Sequence, residues 1–450
     1  MELKTYSWAL LSAFVCIFLL GTIFGFDLSY VVDNEYDLKR VLVIGFVWLS
    51  SLFFVAVKDI EVIRLSLVTK LCLSSFFILA TCSAFYSIHP FWGVVELCNL
   101  VLLVAAFFLF VTSIRITGRD RLYLGVYFGF LFFSVLTLVK YILFLVFSYA
   151  DEQSFDIHGL LSGYVNVRFF NQLQVMIVAM LLLPFCYQDL TKFKRVSIAI
   201  ISLHWAVMLQ TEARGAILSL ISAFCVMLYF ITADIRMRMA RTMFITLLIG
   251  AFLWLVFIIA IPYWLMGSID LQIRTASSGR LDLWYYVLTS MSEHFWLGWG
   301  PMSFTWAESK PLPNAHPHNS IMQILYEYGA IAAVLLVSWA FNLVYRWLTW
   351  IKSSQSISSI PVTYAVLSAL IYSLFSGITV MPFAQLMLVF LIAMQIQCRE
   401  ASFIKVQVWP KVFTFLLVTV ASLMLLSTYK HEELLPALFP RIWINGLIGY

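Results

Sequence analysis

Apolar runs long enough to cross a bilayer recur along this chain and limit the folds open to it. Of its 450 residues, 62% are hydrophobic and 11% are charged, whereas a soluble domain carries about 25% charged residues. A helix needs about 20 apolar residues to cross the hydrocarbon core. The runs therefore predict an all-α fold, a polytopic bundle of 12 or 13 transmembrane helices. The predicted spans are 7–26, 41–57, 66–87, 92–114, 122–148, 172–187, 196–210, 214–232, 242–266, 320–341, 359–377, 381–397 and 412–429.

Lysines and arginines are divided unevenly between the two sets of loops that these spans create. Most of them fall on the side of the N-terminus, for example at Lys58, Arg119, Lys192 and Arg236. Basic loops stay in the cytoplasm, so the N-terminus is predicted to be cytoplasmic and the opposite loops to face outward. The predicted divisions are spans 1–9 over 1–266, an outward catalytic loop over 267–319, spans 10–13 over 320–429 and a C-terminal tail over 430–450.

Ionisable residues gather on the predicted outward side. All seven histidines fall there, in loops or in the outer halves of spans, together with Glu96 and Glu327. Charged groups at membrane depth are costly and usually line a functional cavity, so this pattern predicts an outward-opening site. The sequence has no P-loop or other nucleotide-binding turn, and the cytoplasmic loops are short. Use of ATP or a nucleotide sugar on the inner side is therefore not expected, and the net charge of +5 requires no nucleic-acid partner.

The outward loop 267–319 carries most of the residues suited to chemistry. Within it, apolar residues recur at three- and four-residue intervals after Arg280, which predicts an amphipathic helix lying on the outer surface. The apolar positions are Leu281, Trp284, Tyr285, Leu288 and Met291.

Two arginines are candidate phosphate ligands. Arg214 stands where an outward turn enters a span, and Arg280 stands at the start of the amphipathic helix. A guanidinium group can hold two phosphate oxygens at once and stays charged, so a pair from separate segments suits a lipid diphosphate at headgroup level. The plainer alternative for Arg214 is an ion pair with Glu212. For Arg280 it is pairing with Asp282 or with a membrane phosphate.

His318 is a candidate general base, because a neutral imidazole can accept a hydroxyl proton at physiological pH. It precedes Asn319 at the start of a span, so an interfacial histidine beside an ordinary N-cap residue is the alternative. Arg168 approaches the membrane from outside, as an interfacial anchor or as a contact to an anionic donor.

Four further residues complete the predicted substrate-binding set. Glu327 lies about 12 Å beyond Asn319 along a helix and is expected to orient a partner such as an arginine. The other members are Asn319, Trp284 and His316.

These segments together resemble the O-antigen ligase/polymerase superfamily of bacterial membrane glycosyltransferases. The family pattern is an arginine and a tryptophan, then a glycine turn, then His-Asn or His-Ser followed by a glycine. In this chain the pattern reads Gly279-Arg280, Trp284, Leu297-Gly298-Trp299-Gly300, His318-Asn319 and, after nine residues, Gly329.

The resemblance extends over roughly residues 160–397. Ala213-Arg214-Gly215-Ala216 is similar to the family's entry to a span, and Arg168 with Asn171 resembles a further element. Two positions depart from the pattern and leave the candidate catalytic residues in register. Ala332 stands where a small or tyrosyl residue is frequent, and Glu293-His294-Phe295-Trp296 replaces the proline before the glycine turn.

The resemblance implies transfer of a glycan from undecaprenyl diphosphate to an acceptor hydroxyl at the periplasmic face of the bacterial inner membrane. It implies neither ATP nor a metal nor another cofactor. Arg214 and Arg280 would hold the diphosphate, and His318 would activate the acceptor, with inversion at the anomeric carbon. Lipid A-core is the leading acceptor, which makes an O-antigen ligase of lipopolysaccharide biosynthesis the leading prediction.

Several related functions share this donor chemistry. The alternatives are a polymerase of O-antigen or exopolysaccharide repeat units and a protein O-oligosaccharyltransferase. The His-Asn-x9-Gly spacing favours a ligase or a protein transferase over a polymerase. A transporter of lipid-linked sugars is a more distant alternative, because it predicts ionisable residues in both halves of the bundle and repeat symmetry, and the sequence shows neither.

Overall fold

Helices make up nearly all regular structure in the part of the chain that the computed structural model describes, which confirms the all-α fold class. The described residues are 2–22, 32, 35–153, 155, 157–160, 167–267, 279–354, 356–397, 402–429 and 441–443. The helices are α1 (Leu3–Thr22), α2 (Glu35–Ala56), α3 (Leu67–Tyr86), α4 (Pro90–Thr117), α5 (Arg119–Ala150), α6 (Val167–Met180), α7 (Leu183–Cys186), α8 (Lys194–Gln210), α9 (Arg214–Phe230), α10 (Ala233–Trp254), α11 (Ile261–Met266), α12 (Arg280–Ser290), α13 (Ser303–Trp306), α14 (Ser320–Ser354), α15 (Ile360–Tyr372), α16 (Pro382–Gln397) and α17 (Val408–Ser427).

Each predicted span overlaps one helix or consecutive helices, and residues 23–26 of the first span lie outside the described residues. By length and composition, eight helices among the described residues can cross a membrane, and four shorter ones are also apolar. The protein is thus a multi-pass membrane protein. The run 196–210 forms α8, which is in neither group, so its place as a span stays a prediction.

The core has two packing groups. In the first, α4 packs against α1, α2, α16 and α17, with aromatic rings at the contact. The rings of Phe14, Phe110 and Phe390 lie 4.8–5.2 Å apart, the range in which offset or edge-on aromatic pairs stabilise a core. In the second group, α6 and α9 pack against α15, while α10 packs against α8. Nearly every side chain of α6 is buried, so the second group is built around α6.

A short antiparallel ribbon, which the sequence pattern did not predict, joins two loops at the predicted cytoplasmic end. Strand β1 (Glu61–Ile63) pairs with strand β2 (Phe403–Lys405). Arg115 at the end of α4 fixes the ribbon, because its guanidinium group lies 2.6 Å from the Glu61 carboxylate and 3.7 Å from the centroid of the Phe403 ring. The ribbon ties the chain after α16 to the chain after α2.

Helix α14 is interrupted at Gly329, and the outward loop packs into the interruption. Gly329 has φ +80° and ψ 176°, a conformation that is open essentially to glycine alone. The backbone N–H groups of Trp299 and Gly300 donate to the carbonyls of Tyr326 and Glu327 at 2.9 and 3.0 Å. Ala330 N–H donates to Phe295 O at 2.8 Å. The glycine turn of the sequence pattern (Gly298 to Gly300) therefore packs directly against the later glycine, Gly329.

The close approach explains why this contact needs glycine on both sides. A Cβ on Gly298 would lie 2.6 Å from the carbonyl carbon of Glu327, and one on Gly329 would lie 2.2 Å from Trp296 O. Gly300 meets α3 in the same way, with Ser87 Cβ at 2.3 Å from the position of an added Cβ. The loop is thereby held against α3 and α14 by main-chain atoms.

Helix α12 confirms the amphipathic helix of the loop, but its apolar face is divided. Leu283 and Val287 are fully buried against Phe304 and Tyr326, and Met291 is buried with them. The predicted face is only partly correct, because three of its members are mostly exposed while Leu283 and Val287 face inward. The exposed residues are Leu281, Tyr285 and Leu288.

Gly298→Ala should weaken the attachment of the loop. Gly298 has φ +71°, so alanine there adds backbone strain of about 1–3 kcal/mol and a clash with the Glu327 backbone. We expect a lower melting temperature in detergent and faster tryptic cleavage after Arg280, since Lys310 precedes a proline and resists trypsin. Gly125→Ala is the matched control, because nothing lies within 4 Å of its added Cβ. Equal melting and cleavage in both variants would contradict this role of the loop contact.

Candidate active site

The outer end of α6 presents Arg168 above a buried polar network. Asn171 Nδ2 donates to Gln174 Oε1 at 2.9 Å and to Thr211 Oγ1 at 3.2 Å. Gln174 Nε2 lies 3.0 Å from Nδ1 of His204, a fully buried imidazole on α8. These bonds satisfy polar groups that would otherwise be costly to bury and connect α6, α8 and the turn before α9. They fix the turn from which Arg214 emerges.

Arg214 begins α9 after a strained turn. Glu212 adopts φ +49°, which is uncommon for a residue other than glycine. The carboxylate of Glu212 lies 3.9 Å from the Arg214 guanidinium, whose side chain is 54% exposed. The plainer alternative, pairing with Glu212, is thus present in a loose form. At this exposure and distance it contributes little, so the guanidinium group remains available to a ligand.

Arg280 is the first residue of α12, and the cap before it sets its direction. Gly279 has φ +69°, and a Cβ there would lie 2.4 Å from a methyl carbon of Leu312. Among the described residues Arg280 forms no ion pair, since the carboxylate of Asp282 is not within bonding distance. Burial lowers the pKa of Arg280, and the neighbouring positive charge of Arg168 acts in the same direction. Two like charges are therefore held close together, an arrangement that an anion would stabilise.

The run 316–319 is fixed by four hydrogen bonds. Trp284 Nε1 on α12 donates to Pro317 O at 2.9 Å, and the backbone N–H of His318 donates to His316 Nδ1 at 3.1 Å. Asn319 Oδ1 accepts the N–H groups two and three residues ahead, at 2.9 and 3.2 Å. Asn319 is thus the N-cap of α14, as the plainer alternative held. Trp284 positions His318, because its indole N–H holds the backbone carbonyl of the preceding residue.

His318 is half-buried and has φ +55°, a strained conformation of the kind that gathers at functional sites. Neither of its ring nitrogens is hydrogen-bonded within the described part of the chain. Burial, then the charges of Arg280 and Arg168, lower the pKa of His318 to about 3. Its imidazole is therefore neutral at physiological pH and lies within electrostatic range of two guanidinium groups.

His316 lies beneath His318, with the two ring centroids 4.3 Å apart. It is buried against Gly377, where a Cβ would come within 2.7 Å of the imidazole. Burial and the neighbouring His318, Arg441 and Arg280 lower the pKa of His316. A neutral His316 leaves Nδ1 free to accept the His318 N–H, so His316 orients His318 from below.

Tyr372, at the end of α15, is a site residue that the sequence did not reveal. Its hydroxyl is hydrogen-bonded to Ser376 and is close enough to Arg280 and Arg168 to interact with both charges. Ser376 in turn accepts from Gln172 Nε2 at 2.9 Å. Nothing in the local sequence distinguishes this tyrosine from others in apolar spans. Only the packing of α15 against α6 brings it to the arginines.

Tyr372 also locates Arg214 relative to the other candidates. A Cβ on Gly215 would lie 3.1 Å from the Tyr372 ring, so the start of α9 packs directly beside this tyrosine. Arg168, Arg280 and His318 interact electrostatically with one another. Arg214 is adjacent through Gly215, and its guanidinium makes no direct contact with the other three.

Glu327 lies beneath this group and is completely buried. Arg441 from the C-terminal tail approaches it to 2.7 Å and approaches Glu96 to 3.5 Å. Glu327 was expected to orient an arginine, and the arginine that it contacts is Arg441. Arg441 lies outside the segment that resembles the family. Elsewhere in the described chain, no three His, Cys, Asp or Glu side chains are grouped as a metal ion would require.

The arrangement can bind an anion and accept a proton at adjacent positions. Half-buried guanidinium groups from α6 and α12 interact electrostatically with Tyr372 and with the neutral imidazole of His318. Such a site suits transfer of a group away from a phosphate leaving group to a hydroxyl.

Comparison with known protein families gives one match. Residues 197–337 match the family described as O-antigen ligase, a range that includes Arg214, Arg280, Trp284, His316 and His318. Arg168, Tyr372 and Arg441 lie outside it. No curated protein matches the chain.

Arg280→Gln should raise the pKa of His318, because it removes one of the two charges that oppose protonation. Diethyl pyrocarbonate acylates neutral imidazole, so its rate of reaction with His318, followed by peptide mass spectrometry, reports this pKa. Between about pH 5 and pH 7.5, we expect the wild-type rate to be constant after correction for reagent decay. The variant should react more slowly at the acid end. A midpoint near the ordinary histidine pKa in both proteins would show that the site does not perturb His318.

Proposed function

We propose that the chain is a glycosyltransferase that moves a glycan from undecaprenyl diphosphate to a hydroxyl acceptor, a proposal supported by the match of residues 197–337 to the O-antigen ligase family. The proposed acceptor is lipid A-core, and the proposed site faces the periplasm from the inner membrane. The observation that supports this best is the group formed by Arg168, Arg280 and His318, in which a neutral base lies within electrostatic range of two positive charges.

The donor diphosphate would occupy the positive end of the group. Arg280 has no ion-pair partner among the described residues and lies next to Arg168 and Tyr372. A diphosphate relieves the repulsion between the two guanidinium groups and accepts their hydrogen bonds. Arg214, loosely held by Glu212, would add a contact from the side of α9.

The transfer step breaks the bond between the anomeric carbon and the diphosphate oxygen, whose electron pair leaves with the carrier. The acceptor oxygen forms the new bond from the opposite face, and its proton passes to His318. Arg168, Arg280 and Arg214 stabilise the charge that develops on the leaving group. Attack in line with the departing diphosphate inverts the anomeric centre.

The low pKa of His318 makes donor binding a condition for efficient proton transfer. Burial and two positive charges hold that pKa near 3, so the imidazole of the protein alone is a weak base. A bound diphosphate offsets those charges and raises the pKa of His318 toward the range in which a general base is effective. The acceptor would then be activated only when the donor is in place.

This mechanism predicts different acid limbs for two kinetic constants. The ratio kcat/KM for the donor reports the free enzyme and kcat reports the bound complex. The acid limb of kcat should therefore lie at higher pH than that of kcat/KM. Both would be measured with purified protein and a synthetic lipid diphosphate donor. Coincident limbs would contradict the coupling between donor binding and His318.

The function itself is tested in cells that lack the gene and carry wild type, Arg280→Ala, His318→Ala or the control Arg346→Ala. Arg346 is exposed on α14 at the predicted cytoplasmic end. Lipopolysaccharide banding and carrier-linked glycan would be read from the same cultures. In the first two variants we expect loss of core-attached ladder, by about 100-fold or more, with accumulation of long carrier-linked polymer.

Other outcomes identify the alternatives. If single repeat units remain on carrier and core, the protein is a polymerase. If lipopolysaccharide is unchanged while a glycoprotein loses its glycan, it is a protein O-oligosaccharyltransferase. If both site variants match Arg346→Ala in every glycan pool, the proposed transfer reaction is wrong.

A further inference from the structure

Three residues after α17 are buried deep in the bundle. Arg441, Ile442 and Trp443 are each 2% exposed or less. Trp443 Nε1 donates to Thr428 Oγ1 at 2.9 Å, and its ring packs on that of Tyr429. This short segment, here called the tail anchor (residues 441–443), is thus packed in the protein interior.

The side chain of Arg441 joins two helices of the bundle. Its guanidinium group lies 2.7 Å from Glu327 on α14 and 3.5 Å from Glu96 on α4. With its amide oriented so that the oxygen faces Arg441, Gln323 accepts from both terminal nitrogens at 2.6 and 2.7 Å. Within the described chain, Arg441 is the cation that pairs with these two buried carboxylates. Removing it would leave buried negative charge without compensation.

A second buried arginine holds the backbone of the tail anchor. Arg40 Nε on α2 donates to Ile442 O at 2.6 Å, and Nη2 donates to Arg441 O at 3.2 Å and to Val380 O at 2.9 Å. Val380 belongs to the connection between α15 and α16, the same connection whose Gly377 contacts His316. The tail anchor is therefore fixed from α2 and from the segment behind the candidate base.

The two α14 residues that bind Arg441, Glu327 and Gln323, lie where the loop packs against α14. The Glu327 carbonyl accepts the Gly300 N–H at 3.0 Å and Ser83 Oγ at 2.8 Å, so this residue receives the glycine turn. Gln323 N–H donates to Asn319 O at 2.9 Å, in the first turn of α14. Both side chains that hold Arg441 on α14 thus lie within nine residues of His318.

Arg441 also acts on His316 by its charge. The groups that face His316 are His318, Arg441 and Arg280, and all three oppose its protonation. His316 Nδ1 can accept the His318 N–H only while that nitrogen carries no proton. A positive charge beneath His316 therefore favours the form that holds the His318 backbone.

We propose that Arg441 is a positioning residue for glycan transfer, and that the tail anchor is an internal part of the active-site framework. The inference rests on the proposed function. The guanidinium group of Arg441 holds α14 through Glu327 and Gln323. Its charge also favours neutral His316, the form that accepts the His318 N–H. Arg441 is buried beneath the site, so its contribution should appear in the rate of the chemical step and in its pH dependence.

The test compares Arg441→Gln, Arg441→Lys and Lys405→Gln with wild type. Purified proteins would be assayed with a synthetic lipid diphosphate donor from about pH 5 to pH 8.5. Lys405→Gln removes one charge from an exposed side chain at the opposite end and should behave as wild type. For Arg441→Gln we expect kcat to fall about tenfold or more, with donor KM changed less than about threefold.

The pH profile separates positioning from a merely structural role. Arg441→Gln should move the acid limb upward by about half a pH unit or more, whereas Arg441→Lys should keep the wild-type limb and most of kcat.

If Arg441→Gln does not accumulate, Glu327→Gln/Arg441→Gln is measured against Glu327→Gln. The double variant removes one of the two carboxylates left unpaired, so its melting temperature should recover in part relative to Arg441→Gln while the acid limb stays shifted.

Two outcomes would overturn the proposal. An unshifted acid limb in a folded Arg441→Gln or double variant, with His318→Ala inactive in the same assay, leaves the transfer reaction standing and removes the role of Arg441. If wild-type protein transfers no glycan from this donor, the proposed function is wrong and the positioning role is wrong with it.

Discussion

The candidate site depends on the contact between the outward loop and the interruption of α14 at Gly329. The loop joins the bundle there through main-chain hydrogen bonds from Trp299, Gly300 and Ala330. Such bonds leave no room for side chains, which is why Gly298 and Gly329 face each other at distances that a Cβ would violate. Once this contact forms, α12 carries Arg280 over α6 and Trp284 over the backbone before His318.

The positive charges of the protein are used in two opposite ways at the outer end of the bundle. Arg441 is completely buried and offset by carboxylates, so its contribution is to the framework. Arg280 is half-buried and lacks an ion-pair partner among the described residues, so its charge is available to a ligand. The first arrangement resembles a buried structural ion pair, where loss of one partner is expensive. The second keeps electrostatic repulsion between Arg280 and Arg168, which a diphosphate would relieve.

Sequence reasoning located the spans and the loop because periodicity and hydropathy are local properties. It also selected Arg280, Trp284 and His318, whose spacing lies within one continuous segment. For α12 it predicted the wrong buried face in part. Leu283 and Val287 are buried against Phe304 and Tyr326, and helical periodicity cannot reveal which neighbours a helix will have. The role of Asn319 as an N-cap was among the alternatives and follows from its position alone.

By itself, the sequence determined an all-α membrane protein with one chemically rich polar loop, because burying apolar runs in lipid and satisfying the backbone allow few other solutions. Only the tertiary structure brought Tyr372 to the arginines and Arg441 to Glu327. These partners are separated by about a hundred residues or more along the chain, and their local sequences are those of ordinary span and tail positions. Their meeting is decided by how α4, α6, α14 and α15 pack, a long-range outcome that spacing along the chain does not encode.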